Sequence, residues 1–294
     1  MKLSHFRSIP FLRKGFSQKA GRNSNGKITI RHRGSGHKQA IRQIDWSRQI
    51  NESIVVGFNY DPQRNVYLAK LYNKKTAKSV TSANYTYIVA PAGVKLFQKL
   101  ISYGGVSKTD PESNQSSTNK LLQAGDVAPL FFFETGDFIH NVSAFSGQKP
   151  IFARSAGTFC QIRSLNLETS TKLHQEDISA TKLWVKVRLP SGSQRLIDNL
   201  ATATSGIVAE YRGNLSKQKR FNIGKAGRSR WLGWRPSVRG VARNPVDHPH
   251  GGGQGKTSGG RPSVTFKSWP TKGQPTRSPK RKNSLIITSR KNKK

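Results

Sequence analysis

Trp184-Val185-Lys186-Val187-Arg188-Leu189, then Pro190-Ser191-Gly192, then Arg195-Leu196-Ile197 carries the clearest fold signal in the chain. Apolar and basic residues alternate through the first run, the period of a strand with one buried face. Pro-Ser-Gly supplies a turn, and the second run reads as the partner strand. The same pattern of short apolar runs between turn signals recurs at Ile54–Val56, Val66–Leu68, Tyr85–Val89, Leu130–Phe133, Phe138–Val142 and Phe159–Ile162. Strands this short and closely spaced predict small barrels or sandwiches, and two barrels of about 70–90 residues fit the span 45–215 better than one large one. Two polar stretches break the rhythm, at 106–120 (VSKTDPESNQSSTNK) and 165–181 (LNLETSTKLHQEDISAT). They read as surface insertions between strands, tolerated because loop closure costs grow slowly with length. No internal repeat is present.

Charge separates the chain into three zones. The 294 residues hold 51 Lys and Arg against 14 Asp and Glu, a formal charge of +37. Residues 1–44 carry 11 basic residues and no acid, residues 45–215 a net of +6, and residues 216–294 carry 21 basic residues against Asp247 alone, a net of +20. The middle has the balance of a folded domain and the flanks do not. A compact chain this basic repels itself, so a polyanionic partner is expected and an ordinary enzyme with a mixed-charge surface is excluded. The hydrophobic fraction is 34%, below the roughly 45–50% of globular chains (a count that includes Gly), so only part of the chain builds a core. Cys160 alone excludes a disulfide framework and a cysteine zinc site. No apolar run approaches the roughly 18 residues of a membrane-spanning helix.

The C-terminal zone spends 11 Gly and 7 Pro in 79 residues, yet holds three of the five Trp. In Arg228-Ser-Arg230-Trp231-Leu-Gly-Trp234-Arg235, indoles alternate with guanidinium groups, a composition suited to stacking on bases and pairing with phosphates. The competing reading is a solvated basic tail with a small apolar anchor. Near the N-terminus, GRNSNGKITIRHRGSGHK (21–38) mixes glycines, which let backbone approach a phosphate, with five Lys and Arg side chains and the rings of His32 and His37. A mobile basic arm is the alternative there.

The run Arg239 to Thr257, with Asn244-Pro245-Val246-Asp247-His248-Pro249-His250-Gly251-Gly252-Gly253 at its centre, admits several readings. As a metal site, Asp247, His248 and His250 are too few and too crowded, and Pro249 restrains both rings from converging. As a phosphate-binding loop it fails by count, because the pattern ending at Thr257 needs Gly where His250 stands. A catalytic Asp247–His248 pair lacks a marked nucleophile. A loop threading between RNA strands accounts for the glycines, prolines and charges together. The lysine-rich end, Gly273 to Lys294, reads as a polybasic tail or a localisation signal, and no amphipathic helix accompanies it for a membrane surface.

The stretches GRNSNGKITIRHRGSGHKQ (21–39) and WLGWRPSVRGVARNPVDHPHGGGQGKTSGGRPS (231–263) resemble the family of the second protein of the large ribosomal subunit, ribosomal protein L-two. Further matches in order are Tyr60-Asp61-Pro62 with Arg64, Ile88–Pro91, His140-Asn141-Val142, Ala153–Thr158 and Gly224–Gly227. The resemblance implies a mainly β fold, an OB-fold barrel followed by an SH3-like barrel, with long basic irregular N- and C-terminal extensions buried in rRNA. Boundaries are expected at 1–44 for the N-terminal arm, 45–148 for the first barrel, 149–215 for the second and 216–294 for the C-terminal extension. It implies a non-enzymatic, structural rRNA-binding role in assembly, subunit joining and support of the peptidyl-transferase region. Expected partners are large-subunit rRNA, neighbouring ribosomal proteins and the small subunit through an intersubunit bridge, with no membrane and no homo-oligomer. Expected contacts on the first arm are Arg22, Lys27, Arg31, His32, Arg33, His37, Lys38 and Arg42, and Arg154 on the second barrel. On the C-terminal extension they are Lys225, Arg228, Arg230, Trp231, Trp234, Arg235, Arg239, Arg243, Asn244, Asp247, His248, His250, Lys256, Arg261, Lys272, Arg277, Lys280, Arg281 and Lys282. No catalytic residue, metal ligand or cofactor is expected, beyond magnesium carried by the rRNA.

Against the bacterial pattern, the leader before Gly21 is short, the two polar stretches interrupt the barrels, and Gln254 stands where Glu is usual. The acid-free leader, with Arg7, Arg13, Lys14 and Lys19, has the composition of a transit peptide. With Met1 at its head, it is expected to be retained, as in a protein encoded and made inside a mitochondrion; a plastid or bacterial cytoplasm is the alternative. Two other classes stay open: an RNA-acting enzyme using Asp247 and His248, and a free nucleic-acid chaperone.

Overall fold

The structure is a computed structural model that describes residues 9–49, 52–64, 66–73, 84–103, 122–168, 183–210, 224–255, 260–273, 277–278 and 283–290. Strands β1 (Arg13–Gly15) and β2 (Ala40–Arg42) pair antiparallel, and just beyond them the Phe16 N–H donates to the Gln39 carbonyl at 3.0 Å. Strands β3 (Glu52–Asp61), β4 (Val66–Tyr72), β5 (Tyr85–Val89) and β6 (Lys99–Ile101) form an antiparallel sheet in the order β5-β4-β3-β6. A second antiparallel sheet takes β7 (Val127–Pro129), β8 (Phe138–His140), β9 (Cys160–Glu168), β10 (Leu183–Arg188), β11 (Gln194–Asp198), β12 (Thr202–Ser205) and β13 (Ile286–Thr288), in the order β13-β11-β10-β9-β8-β12-β7. This mainly β arrangement of two antiparallel sheets is consistent with consecutive OB-fold and SH3-like barrels.

Within the first sheet, β4 and β5 bury residues on both faces, so they are apolar in successive positions rather than in alternation. Val66 and Leu68 of β4 pack with Tyr87, Val89, Ala156 and Val208 on one side, while Ala69 and Leu71 pack with Val55, Ile88 and Leu100 on the other. Strand β3 instead turns polar Asn59 and Asp61 inward, and both find partners. Asn59 donates to the Tyr87 hydroxyl, and Asp61 accepts from the Gln63 N–H and the Arg64 guanidinium at 3.0 and 2.7 Å. Within the second sheet, Ile139, Cys160, Ile162, Val185, Val187 and Ile197 form a core with Leu130 and Phe133. Each fully buried aliphatic side chain of this kind contributes about 1.5–3 kcal/mol. The β10–β11 hairpin pairs Trp184 with Asp198 through Arg188 with Gln194, closing on Gly192 at φ +86°. The Pro190-Ser191-Gly192 turn falls where the sequence puts it.

Several expectations are corrected. Leu130–Phe133 is not a strand: Leu130–Phe132 make a 3₁₀ turn behind Pro129, with the Leu130 side chain in the core and its N–H donating to the Ala201 carbonyl at 3.0 Å. The boundary expected at 148/149 falls inside the second sheet, because β7 and β8 pair with β12, and β8 also with β9. Strand β9 continues to Glu168, into the stretch expected as an insertion from 165, since Leu167 pairs with Trp184 and Glu168 with Leu183. The C-terminal zone is not irregular throughout. Residues Ile286–Thr288 form β13, which covers the β11 edge, and the Leu196 N–H donates to the Leu285 carbonyl at 2.8 Å. The insertion at 106–120 and most of that at 165–181 lie outside the described residues.

The described residues fall into two compact units. One draws on 9–16, 39–210 and 284–290 and holds both sheets; the other draws on 17–38 and on the described part of 221–283. The two basic flanks expected as separate arms therefore contribute to one folded unit. Among the described residues no helix is long and apolar enough to cross a membrane.

Candidate nucleic-acid interface

The second unit is built almost without acid. Its sequence carries six Lys and Arg in 17–38 and fourteen in 221–283, against Asp247 alone. Two segments about 200 residues apart in sequence are sewn together by backbone. The Gly34 N–H donates to the Gly233 carbonyl at 2.8 Å, the His37 N–H to the Trp231 carbonyl at 2.9 Å, and the Arg235 N–H to the His32 carbonyl at 3.1 Å. Arg33 and Trp234 form an antiparallel bridge. Gly36 sits at φ +66°, where a methyl group would lie 2.6 Å from the Trp231 carbonyl oxygen, so only glycine allows this approach. His32, at φ +59°, directs Nδ1 to the Pro236 carbonyl at 3.0 Å.

Local turns then present the cations. Asn23 Oδ1 accepts the Asn25 and Lys27 N–H groups at 3.1 and 2.9 Å, folding a tight loop that leaves Arg22 and Lys27 exposed. Three rings carry cations: Arg33 lies 3.8 Å from the Trp234 centroid, Lys225 3.9 Å from Trp231, and Arg31 4.3 Å from Phe266. Such pairs preorganise the charge while the indoles stay exposed, at 58% for Trp231 and 48% for Trp234. The helical turn α1 (Gly227–Trp231) brings Arg228 and Arg230 beside them.

The Arg239–Gly251 loop is pinned by its histidines. His248 Nδ1 accepts the His250 N–H at 3.0 Å, His250 Nε2 accepts the Val264 N–H at 2.9 Å, and the rings stack with centroids 5.2 Å apart. A methyl on Gly240 would run into the His248 ring, and one on Gly251 into the Asn244 carbonyl. Burial, with His250 and then Arg243 nearby, holds the His248 imidazolium below its ordinary pKa. Because Nδ1 is an acceptor here, a neutral His248 carries its proton on Nε2. An Asp–His dyad needs the reverse, Nδ1–H toward the carboxylate and a free Nε2 lone pair. Asp247 is exposed and donates its N–H to the Asn244 carbonyl at 3.0 Å, closing a turn. Among the described residues no group of three or more His, Cys, Asp or Glu is placed to hold a metal.

The structure gathers Arg22, Lys27, Arg31, His32, Arg33, His37 and Lys38 with Lys225, Arg228, Arg230, Trp231, Trp234, Arg235, Arg239, Arg243, Asn244, Asp247, His248, His250, Arg261, Lys272 and Arg277 in the second unit. Arg42 stands apart in β2 of the first unit, half-buried, its guanidinium donating to the Ala40 carbonyl at 2.8 Å. Arg154 also belongs to the first unit, where it and Arg64 flank Trp46 at 5.5 and 5.6 Å from the ring. Arg64, which the sequence sets beside Tyr60-Asp61-Pro62, is also paired with Asp61 at 2.7 Å, and Trp46 was not singled out in the sequence. Lys256, Lys280, Arg281 and Lys282 lie outside the described residues.

Comparison with known proteins agrees along the whole chain. Residues 11–102 match the family model for the RNA binding N-terminal domain of Ribosomal Proteins L2, and residues 123–268 that for their C-terminal domain. A large ribosomal subunit protein uL2m from Reclinomonas americana is 40% identical over 281 residues, 95% of this chain and 87% of the relative. The chain belongs to the ribosomal protein L2 family. Other L2 proteins match as closely in extent. The large ribosomal subunit protein uL2 of Rickettsia canadensis is 40% identical over 294 residues, 99% of this chain and 93% of the relative. That of Rickettsia felis is 39% identical over 287 residues, 97% and 90%. The match to the L2 N-terminal domain ends at 102, just past β6, and the match to the C-terminal domain starts at 123, just before β7.

Proposed function

We propose that the chain is a structural constituent of a large ribosomal subunit that binds large-subunit rRNA, chiefly through the unit formed by 17–38 and 221–283. One observation carries this reading: that unit concentrates twenty Lys and Arg with half-exposed indoles against a single acid, and folds from segments that no free polybasic tail would hold together. The relatives bear the names of large-subunit ribosomal proteins. By this reading it acts in assembly, joining of the subunits and support of the peptidyl-transferase region, with neighbouring ribosomal proteins and the small subunit as partners. It takes part without catalytic residues of its own, and any magnesium at the interface belongs to the RNA. The His248 hydrogen-bond geometry supports a positioning role over a dyad.

A mitochondrial ribosome is the proposed location, favoured by the uL2m relative; the Rickettsia relatives support the bacterial alternative. Sedimentation of the tagged protein from purified mitochondria, with subunits separated at low magnesium, tests both points. Equimolar recovery in the large-subunit peak, released by RNase, is the expected result. Recovery at the top of the gradient would overturn the structural role, and absence from mitochondria would overturn the location alone.

A further inference from the structure

The geometry points to a site for a single unpaired nucleotide in the second unit, an inference that rests on the rRNA-binding reading above and deepens it. Gly34, Ser35, Gly36, His37 and Lys38 face Arg230, Trp231, Trp234 and Arg235 across an open cleft of about 580 Å³. That volume lies within the range of about 300–1,000 Å³ typical of small-molecule sites. The walls divide the work of recognising a nucleotide. Both indoles are half-exposed, and each already holds a cation over one face, Arg33 on Trp234 and Lys225 on Trp231. The exposed surface of each ring is where a base would stack, and a base reaches an indole face only when drawn out of its own stack. Lys38, Arg230 and Arg235 supply charge for the flanking phosphates, and among the described residues no carboxylate lines the cleft to oppose them.

The floor is fixed in advance. The bonds from Gly34 to Gly233 and from His37 to Trp231 tie the two walls at a set separation, and Gly36 allows their approach. A preformed slot of this kind selects an extruded nucleotide from a loop or bulge over a base-paired one, because duplex RNA presents no free base face. Stacking is tolerant of base identity, so the slot reads an unpaired state rather than a sequence.

The test uses intact large subunits carrying the full chain. After ultraviolet irradiation and digestion with RNase and protease, mass spectrometry is expected to find a one-nucleotide adduct on the peptide holding Trp231 and Trp234 or on the one holding Gly34–Lys38. In parallel, Trp234→Ala and Trp234→Phe subunits are probed with a base-modifying reagent. One unpaired nucleotide should gain reactivity by a factor of about 5–150 in the Ala variant, the loss of one stacked base, and stay protected in the Phe variant, which keeps a ring. Particles that contain the chain yet show no adduct at these peptides and no nucleotide sensitive to Trp234→Ala would overturn the slot while leaving the ribosomal role standing. Absence of the chain from the large subunit would overturn the role, and the slot with it.

Discussion

Acid should loosen the second sheet through one residue, His140. Its ring is fully buried on β8, and Nδ1 lies 3.0 Å from the Gly206 carbonyl, to which it donates as the neutral tautomer with its proton on Nδ1. Burial, with the Arg48 guanidinium nearby, holds its pKa down at about 4 against an ordinary 6.5, although the Gly206 bond pulls the other way. The folded state therefore binds fewer protons than the unfolded state between those values. Stability from this residue is complete above about pH 6.5 and falls as the pH drops toward 4. A tenfold difference in proton affinity between the two states is worth about 1.4 kcal/mol, so the window removes about 3 kcal/mol, a large part of the roughly 5–15 kcal/mol that holds a domain folded. His140→Asn places an amide N–H near the position of Nδ1 and cannot be protonated, so its stability should be flatter across the window. Urea unfolding at a series of pH values in high salt, followed by tryptophan fluorescence, compares the two slopes. The imidazole titration followed by NMR gives the folded midpoint directly. Equal slopes in the two proteins, or a folded midpoint near 6.5, would refute the reasoning.

At His248, Asn offers Oδ1 where Nδ1 accepts the His250 N–H, whereas Ala offers nothing. His248→Ala should impair large-subunit assembly or subunit joining, His248→Asn should largely rescue both, and peptide-bond formation by fully assembled particles should be unchanged. Assembled mutant particles with an isolated defect in that chemistry would show the positioning role to be wrong. Binding of the isolated chain to its rRNA site should weaken steeply with salt: about ten phosphate contacts give a log–log slope near −9 on duplex and less on single strands. A slope near −2 would exclude the two basic segments as binders. Ending the chain at Asn283 removes β13 and bares the β11 edge, which should lower the melting temperature and promote self-association in light scattering; an unchanged monomer would count against β13 as an edge cover.

Local chemistry made much of the barrel region readable. The 184–197 hairpin needs only alternation and a Pro-Ser-Gly turn, both set by residues a few positions apart, and it forms in register. Leu130–Phe133 misled because an apolar run reports burial, not conformation; Pro129 and the Asn199 and Ala201 carbonyls decide for a 3₁₀ turn. The boundary at 148/149 missed because β7 pairs with β12, about 75 residues on, and β8 with β12 and β9 on the far side of that boundary.

Composition and motif alone placed the chain in the ribosomal protein L2 family, and picked out most of the cations that the second unit gathers. Charge counts and short motifs survive in a linear string, which is why they were legible there. Tertiary structure alone decided that the two basic flanks contribute to one unit, that Arg33 backs Trp234, and that His248 serves as an acceptor. Each of those depends on backbone groups far apart in sequence, or on which ring nitrogen faces a donor, and neither is written in composition or spacing.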